Sequence, residues 1–134
     1  MIAKILSVED LNHLVRGLAG NYLPVAVLNH SFFINDVPAN LPVENNSQRI
    51  ASVIGRILSI VAGHVKNTCI RLSARKHGHV TVLEIQESGT VNSYALASEL
   101  QHVHLLAGQI GGGLSISIPK AESTTISFSF PDLP

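Results

Sequence analysis

Hydrophobic and polar positions alternate in two distinct periods along the chain. Near the C-terminus the runs Leu114-Ser115-Ile116-Ser117-Ile118 and Ile126-Ser127-Phe128-Ser129-Phe130 repeat every two residues, apolar on one face and serine on the other. That period predicts two strands of a hairpin, each with one buried face. A helix-like stretch, Tyr94–Gln109, runs into the first of them through Ile110-Gly111-Gly112-Gly113. Upstream the period changes. Ile50, Val53, Ile54, Ile57, Leu58 and Val61 recur every three to four residues, which predicts a helix from about Ser47 to Gly63 with Asn46 or Ser47 as its cap. Ser52, Arg56, Ser59 and Gly63 fall on its less apolar side.

Between these helices, Thr68–Arg75 and His79–Gln86 read as strands joined by a turn at Lys76-His77-Gly78. The second strand is apolar on both faces (Val80 and Val82 against Leu83 and Ile85), which predicts a central place in the sheet. At the N-terminal end, Leu11, Leu14, Val15 and Leu18 form a helical stripe. Ser7 stands in capping position with Asp10 three residues later, and Gly20-Asn21 is expected to stop the helix. Val25–Leu28 and Ser31–Ile34 then read as extended, and Asn35–Pro42 as a loop. The order is helix, strand, loop, helix, two strands, helix, two strands. It predicts an α/β (α+β) two-layer sandwich, in which a mixed, largely antiparallel sheet packs against about three helices.

Composition narrows the function classes. With 134 residues the chain is long enough for one domain with a real core. Apolar residues make up 46% and charged residues only 13%, and the 9 basic side chains balance the 9 acidic ones. No basic field is present to hold nucleic acid. No stretch reaches the roughly 20 apolar residues needed to span a bilayer. Met1–Leu6 lacks the features of a signal peptide, so a cytoplasmic location is expected. Low charge predicts either an apolar surface covered by a protein partner or a compact domain with a Ser/Asn/Gln surface. The single cysteine, Cys69, excludes an internal disulfide and is expected in the core. The 7 histidines form no His-x-x-x-His pair or His/Cys cluster, so no metal site is expected. No nucleophile-elbow motif occurs.

The glycine run invites a reading as a phosphate loop. It follows a helix, however, and a helix C-terminus presents carbonyls and negative partial charge. A left-handed cap with tight entry into the next strand explains it better.

From Ser31 to Pro131 the chain resembles the nucleotide-binding domain of sensor histidine kinases, the Bergerat or GHKL ATPase fold. Four segments in order carry the resemblance. They are Ile34-Asn35-Asp36-Val37-Pro38, then Gln48–Ile54, then Leu83-Glu84-Ile85-Gln86-Glu87-Ser88-Gly89, and finally Leu105–Gly112 with Thr124–Pro131. The resemblance divides the chain into an N-terminal helix, 1–22, and an ATPase-like domain, 23–134. It also implies where a nucleotide would sit. The family's Asn-x-x-x-Asn, which holds magnesium and phosphate, falls on Arg56 and Ile60 in the register set by Arg49. Neither offers a carboxamide oxygen to a hard cation. The family's adenine-binding aspartate falls on Glu87, with Gly89 at the matching glycine. Its Gly-x-Gly-Leu at the start of the third helix, where backbone N–H groups receive phosphate, falls on Ala97-Ser98-Glu99-Leu100.

The resemblance therefore implies a degenerate kinase-like domain. It is expected to need no cofactor and to have no catalytic residue. It would act through a protein partner in bacterial signalling, with homodimerisation through the Ser7–Ala19 helix as one form of contact. The alternative is a divergent ATP- or ADP-binding domain of a sensor kinase or an anti-sigma-type kinase. Arg56 is expected to pair with Glu87 or Glu99, to stand in solvent, or to bind an anion.

Overall fold

The computed structural model describes residues 9–88, 93–120 and 123–132. In chain order the elements are β1 (Glu9–Asp10), α1 (Leu11–Leu28), β2 (Phe32–Asn35), β3 (Pro42–Val43) and α2 (Ser47–His64), followed by β4 (Cys69–His77), β5 (Val80–Glu87), α3 (Ser93–Gly108), β6 (Gly113–Lys120) and β7 (Ser123–Pro131). Five strands form one sheet in the order β2-β4-β5-β7-β6. Only β2 and β4 run parallel; the other three pairings are antiparallel. β1 and β3 make a separate two-stranded ribbon. The expected two-layer sandwich with a mixed, largely antiparallel sheet is the observed architecture.

The period-2 runs fold as their pattern dictates. Burial alternates strictly along β7, with Ile126, Phe128 and Phe130 inward. Leu114 pairs with Phe128 and Ile116 with Ile126, while Ser115 pairs with Ser127 on the outer face. β5 sits in the middle of the sheet, as its two apolar faces require. The turn before it falls at Gly78-His79, one residue later than the sequence suggests, with Gly78 at φ +62°.

The helices lie side by side on the inner face, α2 between α1 and α3. Asn46 caps α2, its side chain accepting from the Arg49 N–H at 3.1 Å. Ile50, Ile54, Ile57 and Leu58 are fully buried against Ile70, Leu72, Leu83 and Phe128. Each such side chain contributes roughly 1.5–3 kcal/mol by leaving water.

α1 departs from expectation. It does not stop at Gly20-Asn21 but runs on to Leu28 with Pro24 inside it, so Val25–Leu28 is helical, not extended. Ala19, Tyr22 and Ala26 face inward at helical spacing against the core. That continued burial outweighs the roughly 1 kcal/mol cost of a helical glycine. The division at 22/23 therefore falls inside a helix that packs on α2 and β2 as part of the same core. Asp10 is the N-cap residue itself, yet its carboxylate accepts from the Leu41 N–H at 3.2 Å and caps nothing. The expected cap Ser7 lies outside the described residues. Cys69 is half-buried at the start of β4, not a core residue.

Two helices end in the same way. After α1, Ser31 N–H bonds to Ala26 C=O at 2.8 Å and His30 N–H to Val27 C=O at 2.9 Å, with His30 at φ +58°. After α3, Gly112 N–H bonds to Ala107 C=O at 2.9 Å and Gly111 N–H to Gly108 C=O at 3.1 Å, with Gly111 at φ +75°. Both are the paired 6→1 and 5→2 bonds of a Schellman cap. A Cβ on Gly112 would stand 2.3 Å from the backbone oxygen of Ser129. The glycine run is thus a helix cap and a close strand approach, as its position after a helix predicts.

Candidate functional site

Strand alternation carries two polar residues onto the inner face at one end of the sheet. Glu87 ends β5 in phase with Leu83 and Ile85, and Thr124 opens β7 in phase with Ile126. The two are cross-strand partners. Glu87 is 5% exposed and Thr124 1%. The Thr124 hydroxyl has no hydrogen-bond partner among the described residues. Nearby, Ser88 N–H donates to the Thr68 hydroxyl at 3.3 Å, joining the end of β5 to the approach to β4. A depression of about 430 Å³ lies over this end of the sheet, lined by Glu87, Thr124, Ser88 and outer-face residues including Arg71 and Gln86. The Arg71 guanidinium in it is already paired with Asp36.

α2 and α3 pack side by side over the sheet. Arg56 lies on the exposed crest of α2, with Ser52 and Ser59, as the helical period predicts. It borders a depression of about 330 Å³ between α2 and α1, lined by Leu18, Tyr22 and Gly55. No ion pair of the described residues includes Arg56, so of the expected alternatives the exposed, solvated one is what the structure has, and pairing with Glu87 or Glu99 is not. The reason is geometric: Arg56 projects between α2 and α1, whereas Glu99 stands on α3, on the opposite flank of α2. Ile60, one turn on, is half-buried and packs on the core. Glu99 instead meets His64 at the end of α2, Oε1 to Nε2 at 3.6 Å. Gly89 lies outside the described residues. The structure therefore brings Glu87 together with Thr124, and Glu99 together with His64, and leaves Arg56 apart from both pairs.

Sequence reasoning singled out Glu87 and Glu99 but missed their partners. Thr124 could have been found, because it shares the parity of Ile126 and Phe128 and so must face inward. His64 could not, since its meeting with Glu99 depends on how two helices pack. Among the described residues no group of three or more His, Cys, Asp or Glu side chains is placed to hold a metal ion. Among the described residues no helix is long and apolar enough to cross a membrane.

Three helices over a five-stranded mixed sheet of this order make a histidine-kinase-like ATPase fold, that of the catalytic domains of histidine kinases. The histidine kinase AdeS of Acinetobacter baumannii superposes with a TM-score of 0.77 at 13% identity, over 93% of this chain and 66% of that one. The nucleotide-free catalytic domain of histidine kinase ThkA gives 0.76 at 15% identity over 96% of each chain. A histidine kinase from Burkholderia phymatum gives 0.77 at 13% identity, over 98% of this chain and 74% of that one. The chain thus spans about two thirds of AdeS. No protein-family model matches it, and no curated protein matches it in sequence.

Proposed function

We propose that this is a non-catalytic histidine-kinase-like domain that works through protein–protein contact in bacterial signal transduction. The register implied by the resemblance carries the proposal: it assigns to the phosphate end of a nucleotide site groups that are wrong for a magnesium nucleotide. In that register Arg56 and Ile60 fall where the resembled family carries asparagines. Magnesium needs hard oxygen ligands, a guanidinium repels it, and a half-buried isoleucine offers it no ligand atom. In the second turn of α3, Glu99 puts a carboxylate at the position that the resemblance assigns to the phosphate-binding segment, and it lies 3.6 Å from His64 at the end of α2. The neutral, low-charge surface and the exposed apolar end of α1 support a role in contact.

A second reading, divergent ATP or ADP binding without magnesium, is favoured by the Glu87–Thr124 pair. A buried hydroxyl without a partner costs on the order of 1–3 kcal/mol, and the amino edge of adenine would satisfy it.

Titration with ATP and ADP, with and without magnesium, followed by thermal shift, decides between the two. A binder with Kd about 50 µM would gain about 2.7 kcal/mol at about 5 mM nucleotide. That is a rise of roughly 10 °C for a domain of this size. No shift is the expected result. Saturable binding abolished by Glu87→Ala would overturn the non-catalytic reading and establish the second.

A further inference from the structure

The zero net charge of the chain hides an uneven distribution. α1 and α2 carry three arginines, Arg16, Arg49 and Arg56, and no carboxylate. The acidic side chains of the described residues stand on strands, loops and α3. Arg56 borders the recess between α1 and α2, about 330 Å³ in volume, together with Leu18, Tyr22, Ala51, Ser52 and Gly55. Gly55 leaves the floor open. A Cβ there would come to 3.7 Å from both the Tyr22 hydroxyl oxygen and a Leu18 methyl carbon. Tyr22 thus reaches from α1 onto α2 and presents its hydroxyl at Gly55, the neighbour of Arg56 in sequence. The side chains of Tyr22, Ser52 and Arg56 form no hydrogen bond or ion pair with any described residue.

We propose that this recess receives an acidic side chain of a partner protein, a glutamate or aspartate next to an apolar residue. The guanidinium fork matches the two oxygens of a carboxylate and holds them bidentately. The hydroxyls of Tyr22 and Ser52 can donate to the lone pairs that remain. One guanidinium balances one carboxylate. A phosphate dianion would keep a surplus charge, because no second cation lines the recess. Leu18, Ala51 and the ring of Tyr22 give the neighbouring apolar residue a surface to pack on. That packing matters, since an ion pair in open water is worth little and one shielded from water is worth more. The absence of carboxylates from α1 and α2 leaves nothing on either helix to repel an acidic segment.

The size of the recess sets the occupant and the strength. It is at the small end of binding recesses, roughly 300–1,000 Å³, which suits one or two side chains. A short peptide that brings only those side chains should bind with a Kd of about 1–10 mM. A whole partner adds surface around the recess and binds more tightly. The inference rests on the reading of the domain as one that acts by contact, and gives that contact its chemistry.

NMR titration of the isotope-labelled chain with the peptide acetyl-Leu-Glu-Leu-amide tests it. The amides of Ser52, Gly55 and Arg56 and the Arg56 side-chain N–H should shift saturably. The glutamine counterpart of the peptide should bind at least about fivefold more weakly, because it lacks the charge-assisted bonds. Arg56→Gln should remove binding, and Arg56→Lys should weaken it about threefold by keeping the charge and losing the fork. Gly55→Ala should weaken it too, with the Tm unchanged or higher. Its Cβ makes ordinary contacts with Leu18 and Tyr22 but occupies the floor, and alanine is the better helix former. Arg49→Gln, about two turns earlier on α2 and outside the recess, should change nothing. No shift at about 50 mM peptide, well above the expected Kd, overturns the proposal. So does a glutamine peptide that binds equally well, or an Arg56→Gln variant that binds as the parent does. Inorganic phosphate that saturates the same signals more tightly than the peptide would make the recess a phosphate site and overturn it too. A silent recess in a chain that binds no nucleotide would remove this surface and leave the contact reading standing. Glu87-dependent ATP binding with the recess still taking the peptide would do the opposite.

Discussion

Replacing Gly111, Gly112 and Gly113 singly by alanine separates three physical roles packed into adjacent positions. Gly111 sits at φ +75° as the left-handed residue of the α3 cap. A Cβ there costs about 1–2 kcal/mol in backbone strain, a fall of about 3–8 °C in Tm for a domain of this length. Gly112 has an ordinary backbone angle, but its Cβ would lie 2.3 Å from the Ser129 backbone oxygen, 3.3 Å from that of Ala107 and 3.4 Å from the Phe130 Cα. All three neighbours are backbone, so none can swing away. The start of β6 must move by about 1 Å, and overpacking of this kind costs up to about 3 kcal/mol. Because the shift also loosens the Gly113–Ser129 pairing, Gly112→Ala should be the worst of the three, losing about 10 °C or more. At Gly113 the new Cβ would make an ordinary contact, 3.6 Å from the Ser129 hydroxyl. There alanine should gain about 0.5 kcal/mol by stiffening the unfolded chain. Thermal and urea denaturation followed by circular dichroism read all three, with unchanged m-values certifying that only stability moved. A wild-type midpoint for Gly112→Ala, or Gly113→Ala as the most damaging, would refute the reasoning. So would three variants of native stability that differed only in phosphate binding.

Two further expectations follow from local geometry. His30 holds φ +58° in the cap of α1 with its side chain exposed, so His30→Gly should raise stability by about 0.5 kcal/mol, strain relief outweighing the looser unfolded chain; a lower urea midpoint would contradict this. The Asp132 carboxyl is held below its ordinary value of 3.8, mainly by the hydrogen bond from Lys76 and secondarily by His79, and the Lys76 ammonium is held above its ordinary 10.5 by the same pair. A lowered carboxyl pKa stabilises above the unfolded value and is lost as pH falls through the folded one. Asp132→Asn should therefore melt below wild type at neutral pH, with the difference vanishing in acid below the ordinary carboxylate range; a gap that persisted there would show the pair to be irrelevant.

The parts of the fold legible in the sequence are those where one period dominates locally. The strict alternation of β7 and the apolar stripe of α2 each admit one reading, and β5's two apolar faces forced it to the middle. The second half of α1 reads as extended because its strongest local signals oppose a helix: Gly20, then Pro24, then the β-branched Val25 and Val27. What overrode them is tertiary, the burial of Ala19, Tyr22 and Ala26. The site shows the same split. Positions on one element, such as Arg56 on the crest of α2, follow from the period. Meetings between elements, such as Glu99 with His64, follow from packing that no local pattern encodes.

The cap at the end of α3 has a mechanical consequence. Gly112 lies so close to the Ser129 backbone that there is no room even for a Cβ, and the next residue, Gly113, pairs with Ser129 in the sheet. A rod pinned at one end can turn about the pin but cannot slide. A change in the distance between Glu99, in the second turn of α3, and His64 is then expected as a swing about Ala107–Gly112. α3 behaves as a lever whose fulcrum is two missing side chains.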